Sequence, residues 1–236
     1  MKEQKITLDF DVNPPVPINE YEKLGRMSIP GYDDLHTMVL SFLRSKLPEK
    51  ANLLIVGAGS GMELVTFSKA NSQWQLLGVD PSVNMLALAQ QKIEQQSLSE
   101  RVKLFQGYTH DLPATFLHDA ATCILVMQFL PDDGSKLALL QSISQRLKSS
   151  ATFILVDAFG EKGTENYEQL AWVWKLYRQE MGMSSEMIEK LEKARQEGVY
   201  FIPEPRVLEL LQQAGFGNIT RFYTGFWFGG WIATKN

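Results

Sequence analysis

Residues 53–61 read Leu-Leu-Ile-Val-Gly-Ala-Gly-Ser-Gly, and residues 74–80 read Trp-Gln-Leu-Leu-Gly-Val-Asp. Together they predict a buried strand, a glycine turn, a helix and a second strand that ends on Asp80. Because glycine has no Cβ, such a turn can adopt positive φ and let a ligand approach the backbone closely. A carboxylate at the end of the second strand can accept hydrogen bonds from both hydroxyls of one ribose. The two stretches therefore predict a nucleoside site.

The spacing of the glycines narrows the kind of nucleoside. Gly57, Gly59 and Gly61 read G-x-G-x-G, whereas the dinucleotide fingerprint reads G-x-G-x-x-G, and Met62 stands where its third glycine would be. No Lys-Ser or Lys-Thr pair follows, which disfavours a phosphate-binding P-loop. Glu63 falls in the first turn of the predicted helix, where it would repel a pyrophosphate but could face an ammonium group. The pattern indicates a nucleoside that carries an amino-acid tail.

Composition limits the class of protein. A chain of 236 residues with 44% hydrophobic residues suits one α/β domain. The net charge of −4 gives no broad basic surface, which argues against a nucleic-acid partner and favours a small-molecule substrate. There is no apolar signal segment and no run of about 18 apolar residues, so we expect a cytoplasmic protein with no membrane partner. Cys123 is the only cysteine, which excludes an internal disulfide and a cysteine-cluster metal site, and we expect no metal.

Short apolar runs alternate with helical patterns along the chain, which is typical of βαβ units and a mainly parallel sheet. The predicted strands cover residues 52–56, 75–79, 102–106, 121–126 and 152–156, and two more begin near residues 219 and 226. The predicted helices cover residues 34–46, 82–95, 137–147 and 205–213. We therefore expect an α/β fold in a single domain that spans residues 1–236.

Two segments lie outside this alternation. Residues 1–33 form an N-terminal cap segment, in which Pro14, Pro15 and Pro17 preclude regular helix. Residues 160–203 form a helical lid insertion, because a segment of this length is rarely an ordinary loop. The lid is rich in large apolar side chains, which predict an apolar pocket or simply pack the lid onto the sheet: Trp172, Trp174, Tyr177, Met181, Met183 and Met187.

Three stretches in register resemble the class I S-adenosylmethionine (SAM)-dependent methyltransferases over roughly residues 35–160. They are Ile55–Gly61, Val79–Leu86, and Phe105–Gly107 with Asp111–Pro113 downstream. The resemblance implies a Rossmann-like sheet of seven strands, mainly parallel with an antiparallel last strand and with helices on both faces. It also implies SAM as the cofactor, with these residues in contact with it: Gly57, Ala58, Gly59, Gly61, Asp80, Pro81 and Met85.

Two further loops of the family line the cofactor, and here the chain departs from the usual pattern. After the third strand the family has Gly-Asp, but this chain reads Gly-Tyr-Thr-His-Asp at residues 107–111. Tyr108 could stack on adenine or offer its hydroxyl, Asp111 could take the acid's role, and Thr109 could contribute backbone. After the fourth strand, Met127, Gln128 and Phe129 match a loop that lines cofactor and acceptor. The Gln128 amide can both donate and accept, although it could equally be an ordinary loop amide.

A narrower resemblance covers residues 26–32, Arg-Met-Ser-Ile-Pro-Gly-Tyr. The stretch is similar to Arg-Ser-Val-Pro-Gly-Tyr of the carboxy-S-adenosylmethionine synthases, a branch that serves tRNA wobble-uridine modification, except that Met27 has no counterpart. In that branch the arginine and the tyrosine lie over the methionine part of the cofactor. The resemblance implies Arg26 and Tyr32 as cofactor contacts, and a guanidinium suits the cofactor's carboxylate. Tyr32 could instead anchor the entry segment in the core.

The sequence identifies no catalytic residue. The methyl group of a sulfonium is already activated, so alignment of the acceptor supplies much of the barrier reduction, and a base is needed only for early proton loss. His110 and Asp157 are candidate bases, although a surface or capping role suits each of them as well. We expect a SAM-dependent methyltransferase acting on a small, partly apolar acceptor. The alternatives are a carboxy-SAM synthase or other tRNA-modification enzyme, and a SAM-binding protein without turnover. The oligomeric state is open, with a homodimer among the options.

Overall fold

The computed structural model describes residues 9–12, 14, 16–113 and 115–236. In this part of the chain seven strands form one sheet in the order β3-β2-β1-β4-β5-β7-β6. Strands β1 to β5 are parallel, and β7 runs antiparallel to both of its neighbours, β5 and β6. The strands are β1 Asn52–Val56, β2 Gln75–Asp80, β3 Val102–Gln106, β4 His118–Ile124, β5 Leu147–Ala158, β6 Phe216–Gly225 and β7 Phe228–Lys235. The predicted α/β fold is confirmed.

Strands β2, β6 and β7 depart from the sequence-based bounds by one to three residues, and β4 and β5 differ for local reasons. Strand β4 ends at Ile124, before the predicted end at residue 126, because Leu125 adopts a φ of 60°. Strand β5 begins at Leu147 rather than at residue 152. Its first part is polar and exposed over residues 148–150, so it lacks the apolar pattern by which the rest of the strand is recognised.

The helices occupy both faces of the sheet and the two added segments. They are α1 Tyr21–Ser28, α2 Tyr32–Lys46, α3 Met62–Ala70, α4 Val83–Gln95, α5 Ser135–Ser144, α6 Glu165–Glu180, α7 Ser185–Gly198 and α8 Glu204–Gln213. Helix α1 lies inside the cap segment, so the prolines prevent regular helix only as far as Pro17 and not over the whole of residues 1–33. Pro15 lies outside the described residues. Helices α6 and α7 form the 160–203 insertion. Among the described helices, none has the length and apolar character needed to cross a membrane.

The sheet separates two apolar clusters. Successive residues of a strand point to opposite faces, so Leu53 and Ile55 pack on one side and Leu54 and Val56 on the other. The first side is covered by α2 and α3 and the second by α5 and α8. Because β1 is buried on both faces, its sequence is continuously apolar.

The strand order creates a crevice between β1 and β4. The chain continues from β1 to β2 on one side and from β4 to β5 on the other, and ligands of such sheets bind outside the carboxyl ends of the strands at this switch point. The cap segment is fastened beside the crevice by the lid and the sheet. Trp174 Nε1 donates a hydrogen bond to the Ser28 carbonyl at 2.5 Å, and the Tyr223 hydroxyl donates to the Pro30 carbonyl at 2.6 Å.

Candidate active site

The glycine turn connects β1 to α3 with left-handed backbone at three positions. Gly57, Gly59 and Gly61 have φ values of 70°, 51° and 84°. A Cβ on Gly57 would lie 2.1 Å from the side chain of Val126, and one on Gly61 would lie 2.9 Å from the Cβ of Ala89 in α4. Because it has no Cβ, Gly61 lets α3 approach α4 closely. A Cβ on Gly59 would have no atom nearer than 3.8 Å, so space remains beside the backbone at this position.

Replacing Gly61 by alanine tests this packing role. We expect a loss of about 2–4 kcal/mol in the free energy of unfolding, since left-handed strain and the contact with Ala89 add. Gly134→Ala is the matched control, because Gly134 has a φ of 107° and a Cβ at that position would meet no atom within 4 Å. It should lose only about 1–2 kcal/mol. Urea unfolding measures both, and equal losses would show that the helix contact contributes nothing.

Asp80 both fixes the turn and presents its carboxylate to the crevice. Its Oδ2 accepts a hydrogen bond from the Gly59 N–H and its Oδ1 accepts one from the Ser82 N–H, each at 2.9 Å. Burial raises the pKa of Asp80, while these two hydrogen bonds oppose the rise. A carboxylate has about four lone-pair positions, so each oxygen retains capacity for a ligand hydroxyl.

A cavity of about 260 Å³, called here the cofactor cavity, lies at the carboxyl ends of β1, β2 and β4. Most of the residues predicted to contact the cofactor line it: Tyr32, Gly57, Ala58, Gly59, Asp80, Pro81, Met85, Tyr108 and Thr109. The others, Arg26, Gly61, Met127 and Gln128, are not among its lining residues.

Arg26 lies at the surface of the cap segment, in helix α1. Its Nε donates to both carboxylate oxygens of Asp33, at 2.9 and 3.0 Å, and its Nη2 is 3.7 Å from the sulfur of Met62. Both partners of this ion pair are partly exposed, and exposed pairs stabilise a protein by about 0–1 kcal/mol. Exchanging Asp33 for a ligand carboxylate would cost little. Contact between Arg26 and the cofactor stays a prediction.

The backbone of the loop after β4 is fixed by hydrogen bonds to two buried side chains, Asp157 and Lys136. Gln128 N–H donates to Asp157 Oδ1 at 2.9 Å, and Lys136 Nζ donates to the Met127 carbonyl at 2.8 Å. Burial raises the pKa of Asp157 to about 7, with the Lys136 charge acting against it. Asp157 does not line the cofactor cavity, so the structure places this candidate base beneath the loop.

The turn after β3 uses its acid to cap its own backbone. Asp111 Oδ2 accepts a hydrogen bond from the Tyr108 N–H at 2.8 Å. The ring of Tyr108 stacks on His110 with 5.4 Å between ring centroids, and both side chains are largely exposed. Tyr108 and Thr109 line the cofactor cavity, whereas Asp111 and His110 are absent from its described lining.

Glu63, which the sequence predicts could face an ammonium group, lies in a buried setting. The side chain lines the cofactor cavity, is buried, and accepts a hydrogen bond from the Thr122 hydroxyl at 2.5 Å. Burial raises the pKa of Glu63 to about 8, although the Thr122 hydrogen bond opposes the rise. Burial therefore favours the protonated, uncharged form of the Glu63 carboxyl group.

His36 was not predicted to take part, yet it lines the same cavity. Its Nδ1 lies 2.8 Å from the Tyr32 carbonyl, and since a carbonyl only accepts, Nδ1 carries the hydrogen and Nε2 a lone pair. Burial lowers the pKa of His36 and keeps the ring neutral. The i, i+4 spacing from Tyr32 on one helix face is the signal that could have found it.

A second cavity of about 160 Å³, called here the aromatic cavity, lies against the first. The two share one wall, made by Phe10, Tyr21, Tyr32, Leu125 and Phe129. The φ of 60° at Leu125 is unusual for leucine, and such backbone tends to occur at functional sites. Four further aromatic side chains are part of the remaining lining: Trp174, Phe201, Trp227 and Phe228.

The lid contributes to this cavity less directly than its composition suggested. Of the six large lid side chains named from the sequence, Trp174 lines the aromatic cavity. Trp172 and Met181 are exposed, and Met183 packs with Leu24 in a separate cluster. Phe201 and Trp227 form walls that no sequence pattern singled out.

Comparison with known families agrees with this geometry. Residues 54–153, which contain the glycine turn, Asp80 and the loop after β4, match the family model described as methyltransferase domain. The chain carries a class I SAM-dependent methyltransferase domain. Its methyl donor is SAM. The resemblance drawn from the three sequence stretches is therefore confirmed.

Relatives extend the similarity beyond this domain. Carboxy-S-adenosyl-L-methionine synthase of Staphylococcus epidermidis is 24% identical over 225 residues, covering 92% of this chain and 93% of that protein. Demethylmenaquinone methyltransferase of Lactiplantibacillus plantarum is 26% identical over 182 residues, 73% of each. The structure of magnesium protoporphyrin IX methyltransferase from Synechocystis with bound S-adenosylhomocysteine (SAH) superposes with a TM-score of 0.64 at 16% identity, covering 92% of this chain and 95% of that one.

Proposed function

We propose that the methyltransferase transfers a methyl group to a small, partly apolar acceptor bound in the aromatic cavity. The observation that carries this proposal is the shared wall, because a donor in the cofactor cavity and an acceptor in the aromatic cavity would meet at Tyr21, Tyr32 and Leu125. The cap segment, residues 1–33, and the lid, residues 160–203, belong to the same domain in this proposal, and Tyr21 of the cap and Trp174 of the lid line the cavity that the acceptor would occupy.

The residues of the chain bind and align in this proposal. SAM, when bound, supplies a methyl group on a sulfonium, which needs no further activation. Asp80 would accept hydrogen bonds from the ribose hydroxyls, and Glu63 would face the ammonium of the amino-acid part. The aromatic wall excludes water from the meeting point and its ring faces suit a cation. Alignment of the acceptor supplies much of the rate.

Calorimetry with SAM, SAH and NAD tests the cofactor part of the proposal. We expect SAM and SAH to bind and NAD not to bind, since Met62 and Glu63 disfavour a pyrophosphate. Binding of NAD without either sulfur nucleoside would contradict the proposal.

Methyl transfer is then measured with methyl-labelled SAM. The acceptors are a panel of small aromatic and aliphatic alcohols, amines and carbon acids. We expect to recover the label in an apolar product.

A carboxy-SAM synthase is the second candidate. It is favoured by relatives of that name that cover nearly the whole chain and by the stretch from Arg26 to Tyr32. The described lining argues for the first candidate, because Arg195 is the only Lys or Arg in either cavity. That guanidinium already donates to Glu192 and to the Tyr167 hydroxyl. Supplying prephenate with SAM decides: a cofactor heavier by one carboxyl group in the mass spectrum would establish the synthase.

A further inference from the structure

We infer that the aromatic cavity binds a single aromatic ring, and that the Tyr21 hydroxyl hydrogen-bonds the oxygen or nitrogen of that ring that receives the methyl group. The inference rests on the proposed function and specifies both the acceptor class and a positioning residue.

The size of the cavity matches one ring. Its volume is about 160 Å³, and an apolar cavity of about 150 Å³ in another protein stays dry and binds benzene. A two-ring acceptor is larger than the space between the cavity walls. Those walls are closely packed, since Trp227 meets Trp174 and Phe201 edge to face with centroids 4.8 and 5.5 Å apart, and Tyr167 stacks on it at 5.3 Å.

The walls also favour an aromatic ring over a saturated one of the same size. Trp174, Phe201 and Trp227 already adopt the edge-to-face geometry in which rings attract one another. Such pairs contribute about 0.5–1.5 kcal/mol beyond the apolar area that they bury. Arg195, whose guanidinium carbon lies 5.0 Å from the centroid of Trp227, fixes the orientation of this wall by its bonds to Glu192 and Tyr167.

Tyr21 supplies a polar group at the boundary with the cofactor cavity. Its ring is fixed edge to face against Phe10 at 5.7 Å, and its side chain lines both cavities. Within the described part of the chain its hydroxyl makes no hydrogen bond, so it is available to a ligand. Burial raises the pKa of Tyr21 to about 12, with a further contribution from Asp80, so the hydroxyl stays protonated and orients the acceptor without acting as a base. As the bond from the methyl group to the acceptor forms, the methyl–sulfur bond breaks, its electron pair stays on the sulfur of SAH, and the proton of the acceptor passes to water.

Titration of the SAH-loaded protein with phenol, cyclohexanol and 2-naphthol tests the ring. Calorimetry should show saturable binding of phenol, with a dissociation constant about 2- to 10-fold lower than that of cyclohexanol. It should show no saturable binding of 2-naphthol. Ala194→Phe, which places a ring in the lining of the cavity, should abolish phenol binding and leave SAH binding intact. Gln196→Phe, at an exposed site of the same helix, is the control that should keep both.

Tyr21→Phe isolates the hydroxyl. The dissociation constant for phenol should rise about 2- to 10-fold, whereas those for toluene and for SAH should not change. If Tyr21 has only a structural role, Tyr21→Phe should weaken the binding of phenol and of toluene equally. That result would contradict the proposed hydrogen bond from the Tyr21 hydroxyl. Two results would contradict the inference that the cavity binds a single aromatic ring. One is the absence of phenol binding to SAH-loaded protein, and the other is binding of 2-naphthol as tight as that of phenol. Failure of SAH itself to bind would instead contradict the proposed function.

Discussion

Replacing Asp80 by alanine is expected to raise the dissociation constant for SAM about 5- to 150-fold, the equivalent of about 1–3 kcal/mol. Two effects combine. The ribose hydroxyls lose their acceptor, and the N–H groups of Gly59 and Ser82, which donate to the two Asp80 oxygens at 2.9 Å, lose theirs. The glycine turn then loses its fixed conformation. Calorimetry with SAM measures the change, and circular dichroism checks that the variant is folded.

Asp119→Ala is the matched control for Asp80→Ala. Asp119 also accepts a backbone hydrogen bond, from Asn52 N–H at 2.8 Å, and pairs with Lys148, but it lies at the start of β4, at the opposite end of the sheet. Its removal should lower stability and leave SAM affinity unchanged. If a folded Asp80→Ala variant binds SAM as the wild type does, Asp80 has no role in the cofactor site.

The parts of the site that could be predicted are those that lie within one βα unit and the strand that follows it. The run 53–61 and Asp80 form a site because parallel neighbouring strands bring the end of β2 beside the turn after β1. Hydrophobic periodicity and glycine spacing report that arrangement directly. The bounds of β1 and β3 agree with their predictions for the same reason.

The acceptor side could be predicted only in part: Gln128 of the loop after β4 and Trp174 of the lid line the aromatic cavity. The rest of its wall is assembled from distant segments. Phe10 and Tyr21 come from the cap and Phe201 and Trp227 from beyond the lid helices, and each has an ordinary apolar appearance in the sequence. Local competition misleads as well. Asp111 has the residue type for a cofactor contact, yet its carboxylate bonds the backbone of its own turn.

The affinity for SAM is expected to increase with pH up to a maximum near pH 8. In Glu63→Gln this increase, the rising limb of the profile, should be absent. Burial raises the pKa of Glu63 to about 8 in the free protein, so below that pH its carboxyl group must release a proton before it can face the ammonium of the ligand. Affinity should therefore rise about tenfold per pH unit up to about pH 8. Above that, an α-ammonium with an ordinary pKa of about 7.7–8.0 loses its proton and affinity falls. Calorimetry in buffers of different ionisation enthalpy measures the proton release.

Asp157→Asn separates this effect from the general consequence of burying an acid. The raised pKa values of Glu63, about 8, and Asp157, about 7, mean that the folded state keeps protons that the unfolded state has released. The free energy of unfolding should therefore fall as the pH rises from about 4 to about 8, and either substitution should reduce that fall. Only Glu63→Gln should also flatten the rising limb of SAM affinity, because Glu63 lines the cofactor cavity and Asp157 does not. A limb that survives in Glu63→Gln would assign the proton to another group and remove Glu63 from the ammonium site.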